Sequence, residues 1–191
     1  MTPLDVAVIM GTVRQERQTD RIAQWVCSCI TRRPDMSARL IDLRAYPLPF
    51  FDEPAPPLSG HCAPAAADFA RTLAPADAFV FVTPEYNHGV PAVLKNALDH
   101  LYVEWNRKPM AVVGYGGLYG GVRAAEALRQ YAVELQMVPV RHCVTFPIVH
   151  RSFPAGAEQP SDTITAQVVD SMLDDLLWWG SLLRSARQSA T

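Results

Sequence analysis

The sequence predicts a doubly wound α/β sandwich, a parallel sheet with helices on both faces. Strand-like and helix-like stretches alternate along the chain. The strand-like stretches read as continuous rather than alternating apolar runs, most clearly at the end of DAFVFV, as in strands buried on both faces. A helix-like stretch separates successive strands, supplying the crossover that parallel neighbours need. Such a sheet becomes the middle of three layers.

Asp5 to Met10 (DVAVIM) is the first strand. Thr19 to Thr31 is a helix with Ile22, Ala23, Val26, Cys27 and Ile30 on one face. Ala38 to Leu43 (ARLIDL) is the second strand. Ala65 to Leu73 is a short helix closed before Pro75, and Asp77 to Val82 (DAFVFV) is the third strand. The next helix has Pro91 at its first position, where a missing N–H costs nothing. Val93, Leu94, Ala97, Leu98 and Leu101 form its inward stripe. Pro109 to Tyr115 is the fourth strand. Gly121 to Gln136 is a helix with Ala125, Leu128, Ala132 and Leu135 inward. Val138 to Phe146 carries the fifth strand, and Ser161 to Ser185 is a long closing helix. Tyr46 to Pro64 is a stiff surface excursion with six prolines. Its Leu48, Phe50 and Phe51 are expected to pack on the domain or on a second subunit; a PxxP ligand is the alternative.

At 191 residues the chain is expected to form one domain over 1–191, and 49% hydrophobic residues suffice for a sizeable core. A net charge of −2 with scattered Lys and Arg argues against nucleic acid. No apolar run approaches the roughly 20 residues of a membrane span. Met1 to Met10 lacks a basic leader followed by a long apolar region, so the expected location is the cytoplasm. Cys27 and Cys29 lack the Cys-x-x-Cys spacing, and His61-Cys62 has no partner pair at a metal-ligand distance. Free thiols and no metal site are expected.

In open α/β sheets ligands bind beyond the carboxyl ends of the strands. Three such loops are unusual. In GTVRQERQTD, Gly11 permits a sharp turn, Thr12, Gln18 and Thr19 are polar donors, and Arg14 and Arg17 bring positive charge. The loop feeds a helix N-terminus, so the set suits a phosphate. The alternative is a solvated loop with Thr19 as helix cap, a reading that Asp20 fits. It is neither a dinucleotide fingerprint nor a P-loop. Asp42, at the end of the second strand, resembles a ribose-binding acid but is more simply a strand-end turn residue. In TPEYNHG, Pro84 biases Thr83 towards extended backbone, and Gly89 permits positive φ. Glu85 to Gly89 then offer consecutive backbone groups to the edge of a flat heterocycle, with Tyr86 to cover a ring and Asn87 to hydrogen-bond. In GYGGLYGG, Gly116, Gly117, Gly120 and Gly121 are costly unless the backbone must approach something closely.

The stretches GTVRQERQTDRIA, TPEYNHGVPAVLKNALD and GYGGLYGGVRAAEALR resemble the three signature loops of the NADPH-dependent FMN reductase family. PLPFFDEP resembles the family's second-strand loop, and the match in order and spacing runs over roughly residues 5 to 145. The resemblance implies a flavodoxin-like fold with a five-stranded parallel sheet of order 2-1-3-4-5. It implies non-covalently bound FMN, hydride from NADPH or NADH, and a flavin, quinone, azo dye or metal oxyanion as acceptor. By position, Gly11, Thr12, Arg14, Gln18 and Thr19 would hold the FMN phosphate. Pro84, Glu85, Tyr86 and Asn87 would line the isoalloxazine, and Tyr115, Gly116, Gly117 and Tyr119 would close the other edge. Relatives often carry Ser where Thr12 and Arg17 stand here, which leaves Arg17 without a family role. No side chain need act as acid or base, since the flavin carries the chemistry. Family members are commonly dimers or tetramers; here Lys95, Asn96, Asp99, Tyr102 and Trp105 are the expected contact face. Three other readings stand beside this one: a flavodoxin-type electron carrier, a dehydrogenase using Asp42, and a partner-binding domain using the proline-rich loop.

Overall fold

The computed structural model describes residues 2–189. Its strands are β1 (Leu4–Met10), β2 (Met36–Asp42), β3 (Ala78–Pro84), β4 (Pro109–Tyr115), β5 (Val138–Pro139) and β6 (Val144–Phe146). Its helices are α1 (Thr19–Thr31), α2 (Ala67–Leu73), α3 (Ala92–Asp99), α4 (Val122–Glu134), α5 (Val149–Ser152) and α6 (Thr163–Ser189). The sheet order is β2-β1-β3-β4-β5, every pairing is parallel, and β6 also pairs with β4. This is the predicted flavodoxin-like winding. Among the described residues no helix is long and apolar enough to cross a membrane.

Both faces of the sheet are buried because the central strands are apolar at nearly every position, Asp5 of β1 and Thr83 of β3 being the exceptions. Val6, Val8 and Met10 face one core, with Ile22, Val26 and Ile30 of α1 and Met172, Leu173 and Leu176 of α6. Ala7 and Ile9 face the other, with Phe69, Leu94, Leu98 and Leu128 of α2, α3 and α4. Edge strand β2 is only partly covered, and Leu40 lies exposed.

The departures from expectation have physical reasons. The fifth strand is split. β5 pairs with Pro109 and Met110, the chain leaves the sheet, and β6 returns beside Val113 to Tyr115. In α1, Cys29 and Trp25 are buried while Cys27 is half-buried, because the helix meets α6 and the Phe146–Phe153 pair as well as the sheet. Pro91 is the N-cap of α3 in extended backbone, one residue before its expected place. Leu135 and Val93 pack inward against the core as expected but stay half-buried at its margin. Trp105 is not a contact residue: it is 1% exposed and packs on Phe69, Phe79 and Phe81. Asn96 and His100 both bond to the Pro49 carbonyl, and Asn96 accepts from the Phe51 N–H. The polar face of α3 thus tethers the proline-rich loop, from which Phe50 projects 82% exposed.

Strand register sets where the loops emerge. Met10 lies beside Asp42 and Val82, while Pro84, Tyr115 and Phe146 run on together. The chain therefore leaves β1, β3, β4 and β6 side by side at one edge.

Candidate functional site

At this edge lies a cleft of about 400 Å³, within the range of small-molecule sites. Its walls carry Arg14 and Gln18 after β1, Pro84 to Tyr86 after β3, Tyr115 to Gly117 after β4, and Ile148 to His150 after β6. A shallower extension of about 210 Å³ shares Glu85 and Gly117 with it and takes in Asn87, Tyr119 and Arg123. Of the expected residues, Asn87 and Tyr119 lie on the extension rather than the main cleft, and Gly11, Thr12 and Thr19 lie behind the walls.

Those buried residues tie the loops together. The Thr12 and Tyr86 hydroxyls are 2.9 Å apart, and those of Thr19 and Tyr115 are 2.5 Å apart. Burial pushes the Tyr115 phenol up to about 12, so it stays protonated at neutral pH. Thr19 is therefore not a helix cap. Gln18 holds the N-cap position without a side-chain cap bond. Gly11 is required by packing rather than by a turn: a Cβ there would lie 2.8 Å from Leu94 and 3.2 Å from Thr83.

The loop after β3 closes as a two-residue hairpin, with Tyr86 and Gly89 exchanging both backbone bonds at 3.0 Å. Positive φ falls on Asn87 (49°) and His88 (64°), not on Gly89, as a tight primed turn requires. Glu85 turns towards α4. Its carboxylate accepts the Arg123 N–H at 3.0 Å and pairs with the Arg123 guanidinium at 2.6 Å. Burial works against this charge, yet the Arg123 bonds win and hold the carboxyl below its usual value. Arg123 also lies 3.9 Å over the Tyr119 ring.

The glycines after β4 divide into two kinds. At Gly120 and Gly121, with φ +61° and +88°, a Cβ would strike the chain's own backbone, at Pro147 and at Tyr115. At Gly117 a Cβ would meet nothing within 4 Å. Only the first pair of the run, Gly116 and Gly117, therefore lines the main cleft.

Arg17 and Asp42 turn out to be partners. The buried Arg17 guanidinium pairs with Asp42 at 2.5 Å and Asp20 at 2.9 Å. Burial opposes its charge, but the two carboxylates raise its pKa overall; partial burial likewise opposes the charge of Asp42, yet the bonds from Arg17 and the Arg44 N–H hold its carboxyl below the usual value. With the Arg44 N–H also on it, Asp42 is occupied in a way a ribose-binding acid is not.

Sequence reasoning missed Ile148, Val149 and His150. Ile148 adopts φ 44°, a left-handed conformation rare for a β-branched residue, and its N–H bonds to the Gly117 carbonyl at 2.7 Å. The rule that ligands gather at carboxyl strand ends would have pointed there had it been applied to the fifth strand. The four cysteines are free, and burial pushes the Cys27 and Cys143 thiols up to about 11, away from reactive thiolates. Among the described residues no cluster could hold a metal.

The chain is 42% identical over 147 residues to an NAD(P)H-dependent FMN reductase of Schizosaccharomyces pombe, covering 74% of this chain and 73% of that one. It is 30% identical to a quinone reductase of Pseudomonas putida, over 94% of this chain and 96% of that one. In structure it resembles FerB, a flavoenzyme NAD(P)H:(acceptor) oxidoreductase of Paracoccus denitrificans, with a TM-score of 0.69 at 20% identity, covering 93% and 97% of the two chains. The family model for NADPH-dependent FMN reductase matches residues 4–151, a stretch that contains every segment lining the cleft. By that match the chain belongs to the NADPH-dependent FMN reductase family.

Proposed function

We propose that the cleft holds FMN non-covalently and that the protein passes electrons from NADPH or NADH through it to a small-molecule acceptor, with quinones first among candidates. The observation that carries this is the convergence of three loops, distant in sequence, on one cleft beyond the carboxyl ends of β1, β3 and β4. The residues fit the group. Gly117 leaves the wall open, and Arg14 forms no ion pair among the described residues. In this reading Arg14 and Gln18 face the phosphate, while the buried Thr12 and Thr19, with Gly11, brace the loop behind them. Pro84 to Asn87 and Tyr115 to Gly117 flank the ring, with Tyr119 at its outer edge. FMN, when bound, supplies the hydride and electron chemistry. The protein binds, orients and excludes water; its paired hydroxyls lock the loops, and no side chain is assigned a proton to move.

The quinone preference comes from the relatives named quinone reductases. Flavins, azo dyes and metal oxyanions remain in the same acceptor class. Free cysteines suit a reducing compartment, which supports a cytoplasmic location. A homodimer or homotetramer is proposed, supported by the exposed Phe50 on the loop tethered to α3. The chain is read as one domain around one sheet.

Saturating FMN must raise the melting temperature, because a ligand bound only by the folded state stabilises it. With NADPH and a quinone, initial-rate lines should run parallel, as for two substrates using one site in turn. A protein that binds FMN but leaves NADPH unoxidised would be a flavodoxin-type carrier instead.

A further inference from the structure

Arg17 has no role in the family resemblance, yet its side chain is the most fully buried cation at the cleft, 1% exposed. Its hydrogen bonds account for every donor it has. Nε donates to Asp20 at 3.0 Å. One terminal nitrogen donates to the Thr12 carbonyl at 2.5 Å and to Asp42 at 2.8 Å. The other donates to Asp20 at 2.9 Å and to Asp42 at 2.5 Å. A guanidinium has five N–H groups, and all five are taken. No donor is left for a phosphate, although Arg17 lies in the cleft wall.

The partners say what the residue does. Thr12 belongs to the loop expected to hold the phosphate, Asp42 ends β2, and Asp20 opens α1. Arg17 therefore clamps that loop between a strand end and a helix start. Asp20 sits in the first turn of α1, where an anion beside the loop would feel its charge, and its side chain is 45% exposed. A fork-to-fork pair with Arg17 offsets part of that charge at short range, since the same guanidinium also answers Asp42. We propose that Arg17 is a positioning residue of the FMN site: it does not touch the phosphate, but holds the Thr12 loop and offsets the charge of Asp20 so that the phosphate can bind nearby. This inference rests on the FMN reading above.

The two roles of Arg17 separate in a double-mutant cycle read by flavin titration, with FMN and riboflavin as paired ligands. Riboflavin carries the ring without the phosphate, so it reports damage that is not electrostatic. R17S should weaken FMN roughly tenfold, about 1.4 kcal/mol, and riboflavin no more than about twofold. D20N alone should raise FMN affinity by no more than about twofold, since Arg17, shared with Asp42, already offsets most of that charge at short range. R17S/D20N should recover FMN to within about threefold of the unaltered protein, a coupling that independent sites would not show. If R17S does not fold, R17Q and R17Q/D20N make the same comparison, because glutamine removes the charge while keeping hydrogen-bond donors at the end of the side chain. Equal losses for both flavins, or no recovery with D20N, would mean Arg17 is only a structural clamp and would overturn the inference alone. FMN that leaves the unaltered protein's absorption and melting unmoved would sink the reading beneath it.

Discussion

Two alanine substitutions four residues apart should have opposite signatures. Gly121 sits at φ +88°, where an L side chain costs about 1–2 kcal/mol. A Cβ there would lie 2.6 Å from the Tyr115 nitrogen and 2.9 Å from Gly114 backbone atoms, which cannot rotate aside. Relieving that overlap adds about 1–3 kcal/mol. Gly121→Ala should thus lose about 2–5 kcal/mol and lower the melting temperature by about 5–15 °C. Gly117 has no such constraint: its Cβ position is empty and its φ lies outside the left-handed region. Gly117→Ala should leave folding unchanged or raise stability by up to about 1 kcal/mol through a less flexible unfolded chain. Its methyl would instead intrude into the cleft and weaken FMN roughly tenfold, the equivalent of about 1.4 kcal/mol. Differential scanning fluorimetry gives the first quantity and flavin titration the second. The division into fold-facing and ligand-facing glycines is refuted if Gly121→Ala melts with the parent. It is equally refuted if Gly117→Ala loses stability while binding FMN normally.

Arg14→Ala should weaken FMN tenfold to a hundredfold, about 1.5–3 kcal/mol for one charge-assisted bond, and leave riboflavin almost untouched; equal losses would remove Arg14 from the phosphate. Glu85→Gln should destabilise by about 1 kcal/mol at pH 7, because the α4 cap loses its charge to Arg123. Since the folded carboxyl titrates below its unfolded value, the gap between parent and variant should be full above the unfolded value and vanish as pH falls through the folded one; a gap that persists in acid would refute the ion pair. Light scattering at micromolar concentration should give at least a dimer mass, and Phe50→Asp should reduce it; a monomeric parent would end the assembly proposal.

Local signals set α1 and β4, whose observed bounds are the expected ones. Each is an uninterrupted pattern with turn-forming residues at its ends. Register along the fifth strand was not legible, since Arg141 to Cys143 leave the sheet for reasons of pairing with β4 that no periodicity records. Trp105 misled because its neighbours in sequence are polar while its true neighbours, Phe69, Phe79 and Phe81, come from other elements. At the cleft, Arg14, Gln18, Pro84 to Tyr86 and Tyr115 to Gly117 line the walls, while Gly11, Thr12 and Thr19 lie behind them and Asn87 and Tyr119 line the extension, a division that no local pattern records. The positive φ expected at Gly89 falls on Asn87 and His88, because which residue of a hairpin takes it depends on how its ends pair, and the need for glycine at position 11 comes from Leu94 and Thr83, distant in sequence. The Arg17–Asp42 pair joins residues 25 apart. Its two members read separately as a phosphate donor and a ribose acid, and only their contact shows that each occupies the other.

The tether at Pro49 bears on how the protein would tolerate being cut or extended. Asn96 and His100 grip the excursion at its start, and Tyr46 packs on Phe69. Beyond Phe51 the chain runs out to Gly60, at φ +83° with nothing within 4 Å of its Cβ position, before Ala63 re-enters the core. A break or an inserted peptide near Gly60 would disturb neither the sheet nor the cleft, since both flanks are anchored independently. Limited proteolysis should therefore nick there first and leave two fragments that stay together. The same site is the place for a fused reporter, with the cleft edge of the sheet undisturbed.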